Sequence, residues 1–340
     1  MIECVFTLDY EIYGNGTGSL KELVYEPAAS LAALFRSWNA RFVTFVEVAE
    51  LEKIETFCSD RAIEQTKAQV RRLHEQGFEI GLHLHPQWCH AHYEQGRWVL
   101  DFSEYNLCTL PRARSAEIVS GGINYLRHVL HEPDFTPLSF RAGNWLIRPT
   151  QPAAGVLAEN GIKIDSSVFK GGLQHGSALD YRQSARNGYF WKFSDDVNVP
   201  DARGDLIEVP IYTKMVPCWE MLTHKRVKAG ASPGQGSKRK MNRALDFLRF
   251  RYPLKLDFCR MTLDELTSMM DNVIAADRES PSAYKPIVAI GHTKDLVDLG
   301  TVERFLAFLA WKQIPIVTFE NVYRRLSGIE VPVSGAQLTA

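Results

Sequence analysis

One short segment, running from Glu79 to Trp88, constrains this chain more than any other. It begins as an apolar run, ends in His83-Leu-His85, and is closed by Pro86. Residues two positions apart on a strand project from the same face, so we expect both imidazoles to point the same way. Two neutral imidazoles at one strand end are typical ligands of zinc and related metals. Two unrelated histidines, one of them hydrogen-bonded in the core, are the alternative, and the pair alone does not decide between them.

Short apolar runs alternate with helical patterns along the chain. Predicted strands cover 2–8, 41–46, 78–85, 137–141, 162–165, 206–211 and 286–291, with 314–319 as a candidate eighth. Such an alternation predicts a parallel sheet with crossover helices. About eight such units predict an α/β fold built as a (β/α) barrel, complete or distorted. An open doubly wound sheet is the alternative, but no G-x-G-x-x-G follows the first strand, which argues against a dinucleotide site.

Composition restricts the partner and the compartment. A formal net charge of -1 over 340 residues gives no reason to expect nucleic acid or a membrane surface as partner. No apolar run is long enough to span a bilayer, and the N-terminus has no signal-peptide pattern. The 6 cysteines form no C-x-x-C pair, so we expect free thiols and a cytoplasmic protein.

The predicted domain organisation is simple. We expect one domain over residues 1–325 and a C-terminal tail over 326–340. An insertion around 214–262 departs from the strand–helix alternation, and its part from Lys225 to Arg243 is basic and rich in glycine. A solvated loop is the favoured interpretation of this part. A basic flap over an anionic sugar or a lipid-linked substrate is the alternative.

Polar residues recur where the predicted strands end. Active sites of (β/α) barrels gather at the C-terminal ends of the strands. Each of these residues has an ordinary explanation alone, as a helix cap, a surface ion pair or a loop residue. Their recurrence predicts one shared site made of Asp9, Glu11, His83, His85, Arg141, Asp165 and His292.

The segments that carry these residues resemble the ordered motifs of polysaccharide deacetylases, the NodB-homology enzymes of carbohydrate esterase family four. They are Thr-Leu-Asp9-Tyr-Glu11, Glu-Ile-Gly-Leu-His83-Leu-His85-Pro, Phe-Arg141-Ala-Gly-Asn-Trp145, Ile-Asp165-Ser-Ser-Val and Ile-Gly-His292-Thr-Lys. The resemblance spans residues 2–319. It implies a distorted barrel, usually of seven strands, and metal-dependent hydrolysis of N-acetyl or O-acetyl groups on a sugar or polysaccharide precursor.

The resemblance also implies roles. Asp9 is the general base and Arg141 orients it through a bidentate contact, while His292 is the general acid and Asp165 holds it. The implied metal ligands are Glu11, His83 and His85. Zinc is the expected metal, with cobalt, nickel or manganese as alternatives.

Three departures from the family pattern leave the ligand set open. Tyr10 stands where the family has a second aspartate, so either Asp9 or Glu11 is the carboxylate ligand. The second histidine follows the first by two positions rather than four, so His90 and His92 are further candidates. Ala142 stands where the family has proline.

Aromatic and small residues beside the motifs are candidates for substrate contacts. Trp88 and Trp145 are expected sugar platforms, whereas Trp98 is assigned to core packing. The backbone at Gly143 or Asn144 is the expected donor to the oxyanion. A related C–N hydrolase, such as an amidase on another amide, and an inactive carbohydrate-binding relative remain alternative functions.

Overall fold

A computed structural model describes residues 1–174, 178–217 and 252–329 of the chain. Its main sheet has 8 strands in the order β12-β1-β2-β3-β6-β7-β9-β8. Neighbouring strands pair in parallel except β8, which is antiparallel to β9 at the edge. The strands are β1 Ile2–Tyr10, β2 Val43–Glu47, β3 Glu79–Leu84, β6 Ser139–Ala142, β7 Ile164–Asp165, β8 Trp191–Phe193, β9 Leu206–Glu208 and β12 Lys285–His292.

The predicted α/β fold with a distorted barrel is confirmed, and the sheet is curled rather than evenly closed. Beyond β9, Ile211 makes single parallel bridges to Phe169 and to Val288 of β12, while Asp257 bridges Ile290. These bridges fill the gap between the two ends of the sheet. The barrel is therefore completed by isolated contacts instead of a continuous ladder.

One strand prediction was wrong. The run 314–319 contributes a single bridge, Ile316 to Cys4, and the eighth strand of the sheet is β8. Pro315 has no N–H to donate to a ladder. Thr318 already caps the last helix through a capping box with Asn321, so the extended run is too short to form a strand.

Helices cover the outside of the sheet. At the start of the helix Leu263–Glu279, Thr262 and Glu265 form a capping box. The α-helices are α1 Glu26–Ser37, α2 Val48–Thr56, α3 Ile63–Glu75, α4 Arg112–Leu130, α5 Ala153–Glu159, α6 Leu263–Glu279, α7 Leu299–Trp311 and α8 Phe319–Leu326. Among the described residues, none of the helices has the length and apolar character needed to cross a bilayer.

Two small antiparallel pairs lie outside the main sheet. One joins β4 His92–Glu94 to β5 Arg97–Val99, and the other joins β10 Thr213–Val216 to β11 Tyr252–Lys255. The second pair forms the two ends of the predicted insertion. The proposed basic flap lies within 218–251, outside the described residues, as do 175–177 and the tail beyond 329.

Strand register decides which side chains meet. Asp9 at the end of β1 pairs with His292 at the end of β12. His83 of β3 pairs with Glu47 of β2 on one side and with Arg141 of β6 on the other. Side chains at paired positions of parallel strands project from the same face. The ends of these strands therefore collect polar groups at one edge of the sheet.

Candidate active site

The predicted metal ligands lie together and are buried. One donor atom each from Glu11, His83 and His85 lies within 4.8 Å of the other two. Glu11 Oε2 is 3.0 Å from His85 Nε2 and 3.6 Å from His83 Nε2. Side chains alternate at the end of the first strand. Tyr10 therefore points away from the cluster and donates to Gln69, while Asp9 and Glu11 lie on the side of the site.

The tautomer of His83 suits a metal ligand. Its Nδ1 donates to the carbonyl of Arg141 at 2.8 Å, while the buried Nε2 has no hydrogen-bond partner. A histidine that donates one ring N–H to a backbone carbonyl can offer the other nitrogen to a metal. Two imidazole nitrogens and one carboxylate oxygen form a donor set that fits zinc and its neighbours.

His85 is held by two carboxamides. Its Nδ1 lies 3.0 Å from the amide nitrogen of Gln87 and 3.2 Å from that of Asn144, and Gln87 Oε1 is buried without a partner. Turning the Gln87 carboxamide over would let this oxygen accept from Nδ1–H, which frees Nε2 for a metal. Gly143 permits this packing, because a Cβ there would lie 2.7 Å from the His85 ring.

Lys294 forms an ion pair with Glu11, the predicted carboxylate ligand. Lys294 Nζ is 2.8 Å from Glu11 Oε1, so Oε2 faces the histidines. Burial alone would raise the pKa of Glu11, but Lys294 and His85 outweigh it and hold that pKa well below its usual range. Burial would lower the pKa of His83, but the neighbouring Glu11 and Asp9 raise it to about 9. The cluster therefore favours a bound positive charge.

Asp9 lies beside this cluster and is held by Arg141. The guanidinium is fully buried, donates to Asp9 Oδ1 at 2.5 Å and lies over the Phe45 ring. Its other donors go to Thr7 and Ser166, so the contact with Asp9 has one hydrogen bond and not the expected two. Burial would raise the pKa of Asp9, but Arg141 and His292 outweigh it and lower it.

His292 contacts Asp9 directly. Its Nε2 is 3.3 Å from Asp9 Oδ2, and its Nδ1 is 3.7 Å from Asp295 Oδ2. The same edge brings Asp9, Glu11 and His292 together as a second group of potential ligands. Burial lowers the pKa of His292 despite the two carboxylates. The charged imidazolium is therefore disfavoured in this arrangement.

Asp165 does not hold His292. Its carboxylate accepts from Ser167 at 2.6 Å and faces Glu208, its register partner on β9. Burial raises the pKa of both Asp165 and Glu208, since two adjacent buried carboxyls are not both ionised. The predicted contact failed because β7 and β12 are not neighbours: β9 pairs with β7, and the chain just past β9 bridges β12. Asp295, in contrast, follows His292 in the same turn.

The two candidate sugar platforms, Trp88 and Trp145, differ in burial. Trp88 has 0% exposure and packs edge-on against Trp98, so it cannot serve as a sugar platform. Trp145 is half-buried, and its ring meets that of His292 at 5.9 Å between centroids. Trp145 and Asn144 both have positive φ, a strained backbone for non-glycine residues. Such strain concentrates at functional sites, which keeps Trp145, Asn144 and Gly143 as candidates.

His90 and His92 lie outside the cluster. His90 contacts Arg114 and Glu104, and His92 contacts Glu94 on the exposed β4–β5 pair. Of the four candidate histidines, His83 and His85 are therefore the two that lie close to Glu11.

Several residues at the site were missed from the sequence. Glu47 and Glu50 are buried beside Glu11, and burial raises the pKa of both carboxyls. Glu47 is the last residue of β2, whereas the predicted strand ended at residue 46. Extending that strand by one residue would have placed Glu47 among the polar residues at strand ends. Lys294 is the last residue of the His292 motif and Asp295 directly follows it, but neither was assigned a role. Lys255 had no signal, because it lies within the predicted insertion and reaches the site only through the fold.

Comparison with known proteins agrees with this architecture. No family model matches the chain, and neither does any curated protein sequence. A structure described as a polysaccharide deacetylase from Mycobacterium smegmatis is similar, with 14% identity, TM-score 0.55, and coverage of 97% of this chain and 92% of that one. A second, from Pseudomonas aeruginosa PAO1, has 14% identity, TM-score 0.53 and coverage of 97% and 93%.

The same fold extends to another hydrolase. The Puue allantoinase has 14% identity, TM-score 0.52, and coverage of 96% of this chain and 90% of that one. At these identities the likeness establishes the fold. The chain therefore has the curled barrel of the polysaccharide deacetylases, as its five short motifs predicted.

Proposed function

We propose that the chain is a metal-dependent hydrolase that removes an acetyl group from an N-acetylated or O-acetylated sugar or polysaccharide precursor. The observation that supports this most is the buried group Glu11, His83 and His85 beside an aspartate held by a buried arginine. A structural remnant would have little reason to keep these charged groups buried and aligned, since burying charge is costly.

In the proposed reaction, Glu11, His83 and His85 would hold the metal. Bound there, a divalent ion would lower the pKa of a water and polarise the acyl carbonyl. Asp9 takes the proton of the attacking water as general base. The proton can pass from Asp9 Oδ2 to His292 Nε2 over 3.3 Å, and His292 then protonates the leaving group. The backbone at Gly143 or Asn144 is the proposed donor to the oxyanion.

The direct test is acetate release. Purified protein reconstituted with Zn²⁺, Co²⁺, Ni²⁺ or Mn²⁺ is incubated with acetylated chito-oligosaccharides, acetylated xylan and 4-nitrophenyl acetate. Acetate formed from a sugar, and lost after chelation, is the expected result. No acetate release with any metal from any of these substrates would contradict the proposal for these classes.

Two alternatives have distinct signatures. An amidase on another amide, an alternative supported by the shared fold with an allantoinase, would act on amides without releasing acetate. Its readout is a new carboxylate together with an amine, or with ammonia where the amide is primary. An inactive carbohydrate-binding relative need retain no metal. Measured metal content therefore separates it from both enzymes.

The ligand assignment makes its own prediction. His83→Ala or His85→Ala should reduce bound metal to near background, because each removes one of three donors. Metal content after reconstitution and dialysis is measured by mass spectrometry, and folding is checked by circular dichroism. His92→Ala, on the exposed β4–β5 pair, is the matched control and should keep full occupancy. Full occupancy in both ligand variants would remove the site from the proposal.

The contact between Asp295 and His292 leads to a prediction about turnover. Asp295→Asn should lower kcat with little change in KM, since Asp295 faces the ring nitrogen opposite to the one that reaches the site. Asp165→Asn is the control and should keep kcat, because Asp165 faces Ser167 and Glu208. Steady-state kinetics of the two variants check this. A loss confined to Asp165→Asn would restore the role first expected for Asp165.

A further inference from the structure

Lys255 lies at the mouth of the site, and within the part of the chain that the structure describes it has no acidic partner in contact. Lys255 ends β11, and its Nζ is 3.0 Å from the centre of the Trp145 ring and 4.7 Å from that of Phe169. The same indole meets the His292 ring, with 5.9 Å between the ring centroids. Trp145 therefore contacts both the Lys255 ammonium and the imidazole of the proposed general acid.

Other cations around the mouth are paired. Arg141 contacts Asp9, Lys294 contacts Glu11, and Arg260 lies 3.7 Å from Asp295. For Lys255, no carboxylate within residues 1–174, 178–217 and 252–329 lies within the 4.0 Å of an ion pair. Asp257 and Asp9 act on Lys255 electrostatically from farther away.

The surroundings of Lys255 make an unpaired ammonium costly. The residue is half-buried, and burial lowers the pKa of its amine to about 7. A cation gains less from lying over aromatic rings than it loses when it leaves water without a partner. An anion arriving from the mouth would supply the missing partner and favour the charged form of the amine.

Hydrogen bonds hold the backbone at Trp145 in place. Trp145 has φ 59°, and its carbonyl accepts from the hydroxyl of Tyr181, which in turn accepts from the N–H of Ile147. These contacts fix the indole against both Lys255 and His292. The ammonium is thus placed at a set position beside the reacting groups, although the described residues form no ion pair with it.

We propose that Lys255 binds an anionic group of the substrate, a carboxylate or a phosphate carried by the acetylated sugar or by its neighbour. The inference rests on the proposed function and narrows the substrate to acidic sugars. A carboxylate would come from a uronic acid, and a phosphate from a sugar phosphate or a lipid-linked precursor. Both are acceptors for an ammonium donor.

Equilibrium binding tests this. The probes are N-acetylglucosamine 1-phosphate, N-acetylglucosaminuronic acid and, as the neutral reference, methyl N-acetylglucosaminide, titrated into the full chain by calorimetry. We expect at least one anionic probe to bind about tenfold or more tightly than the neutral one, as a hydrogen bond between charged groups contributes this much. Lys255→Met should remove that preference, and Lys255→Arg should keep most of it.

A matched control is available. Lys312 also lies over aromatic rings, with Nζ 4.3 Å from the centre of the Trp311 ring, but it is paired with Asp271 on an outer helix. Lys312→Met should therefore keep the preference, and melting temperatures should show that all variants fold.

The outcomes separate the two sources and the two proposals. A preference for phosphate alone or for carboxylate alone identifies the anion. Equal affinity for charged and neutral probes, no binding of either anion, or a preference that persists in Lys255→Met would overturn the inference. Acetate release on the same preparations tests the hydrolase proposal separately, because anion binding through Lys255 without acetate release would remove only the latter.

Discussion

Asp9→Asn is expected to lower kcat for acetate release by roughly 10²–10⁴-fold, the usual contribution of a general base, while bound metal stays near its wild-type level. An amide cannot take the proton of the attacking water. It can still accept a hydrogen bond from Arg141, whose guanidinium donates to Asp9 Oδ1. The measurement pairs steady-state kinetics with metal analysis on one preparation.

Glu11→Gln should give the opposite pattern. Its Oε2 is the oxygen that faces both histidines, so metal affinity should fall by more than the roughly 10–100-fold that loss of an outer contact to a metal ligand costs. If the two variants exchange these patterns, Asp9 is the ligand and Glu11 the base. If neither affects metal or turnover, the site lies elsewhere.

Thr7→Val is the control for Asp9→Asn. It removes the oxygen that accepts from the same guanidinium at 2.9 Å without touching either acid. Turnover should be retained in Thr7→Val if the effect of Asp9→Asn is chemical. A comparable loss in both variants would instead point to displacement of Arg141.

His292→Ala is expected to keep metal and fold but to lose about 10²–10⁴-fold in kcat, the usual contribution of a general acid. The side chain is nearly buried, its Nε2 faces Asp9, and among the described residues it is the histidine of β12 at this edge. Among the described residues, His292 is the only histidine with a ring nitrogen within 4.0 Å of an Asp9 oxygen, so no other imidazole is placed to take over proton transfer with Asp9.

Melting temperature and kcat of His292→Ala should be measured together. A structural role would lower the melting temperature and spare kcat, whereas the proposed role does the reverse. His90→Ala, an exposed histidine paired with Arg114, is the control and should change neither. An unchanged kcat in His292→Ala would end the acid assignment.

The sequence alone determined the architecture and most of the site. Short apolar runs ending in polar residues predicted seven of the strands, because a buried parallel strand must be apolar and its C-terminal end meets solvent. The alternation at Asp9, Tyr10 and Glu11 predicted that the tyrosine would point away, and it does. Spacing of two placed His83 and His85 on one side, and both reach Glu11.

What the tertiary structure decided were contacts between distant strand ends. Register brought Asp9 against Nε2 of His292 and set Asp165 against Glu208. The carboxylate that faces Nδ1 of His292 is therefore Asp295 and not Asp165. Packing buried Trp88 and left Trp145 at the mouth. Lys255 came to the site from the far end of an insertion. Such pairings depend on how strands far apart in sequence are aligned, and local patterns carry no information about that alignment.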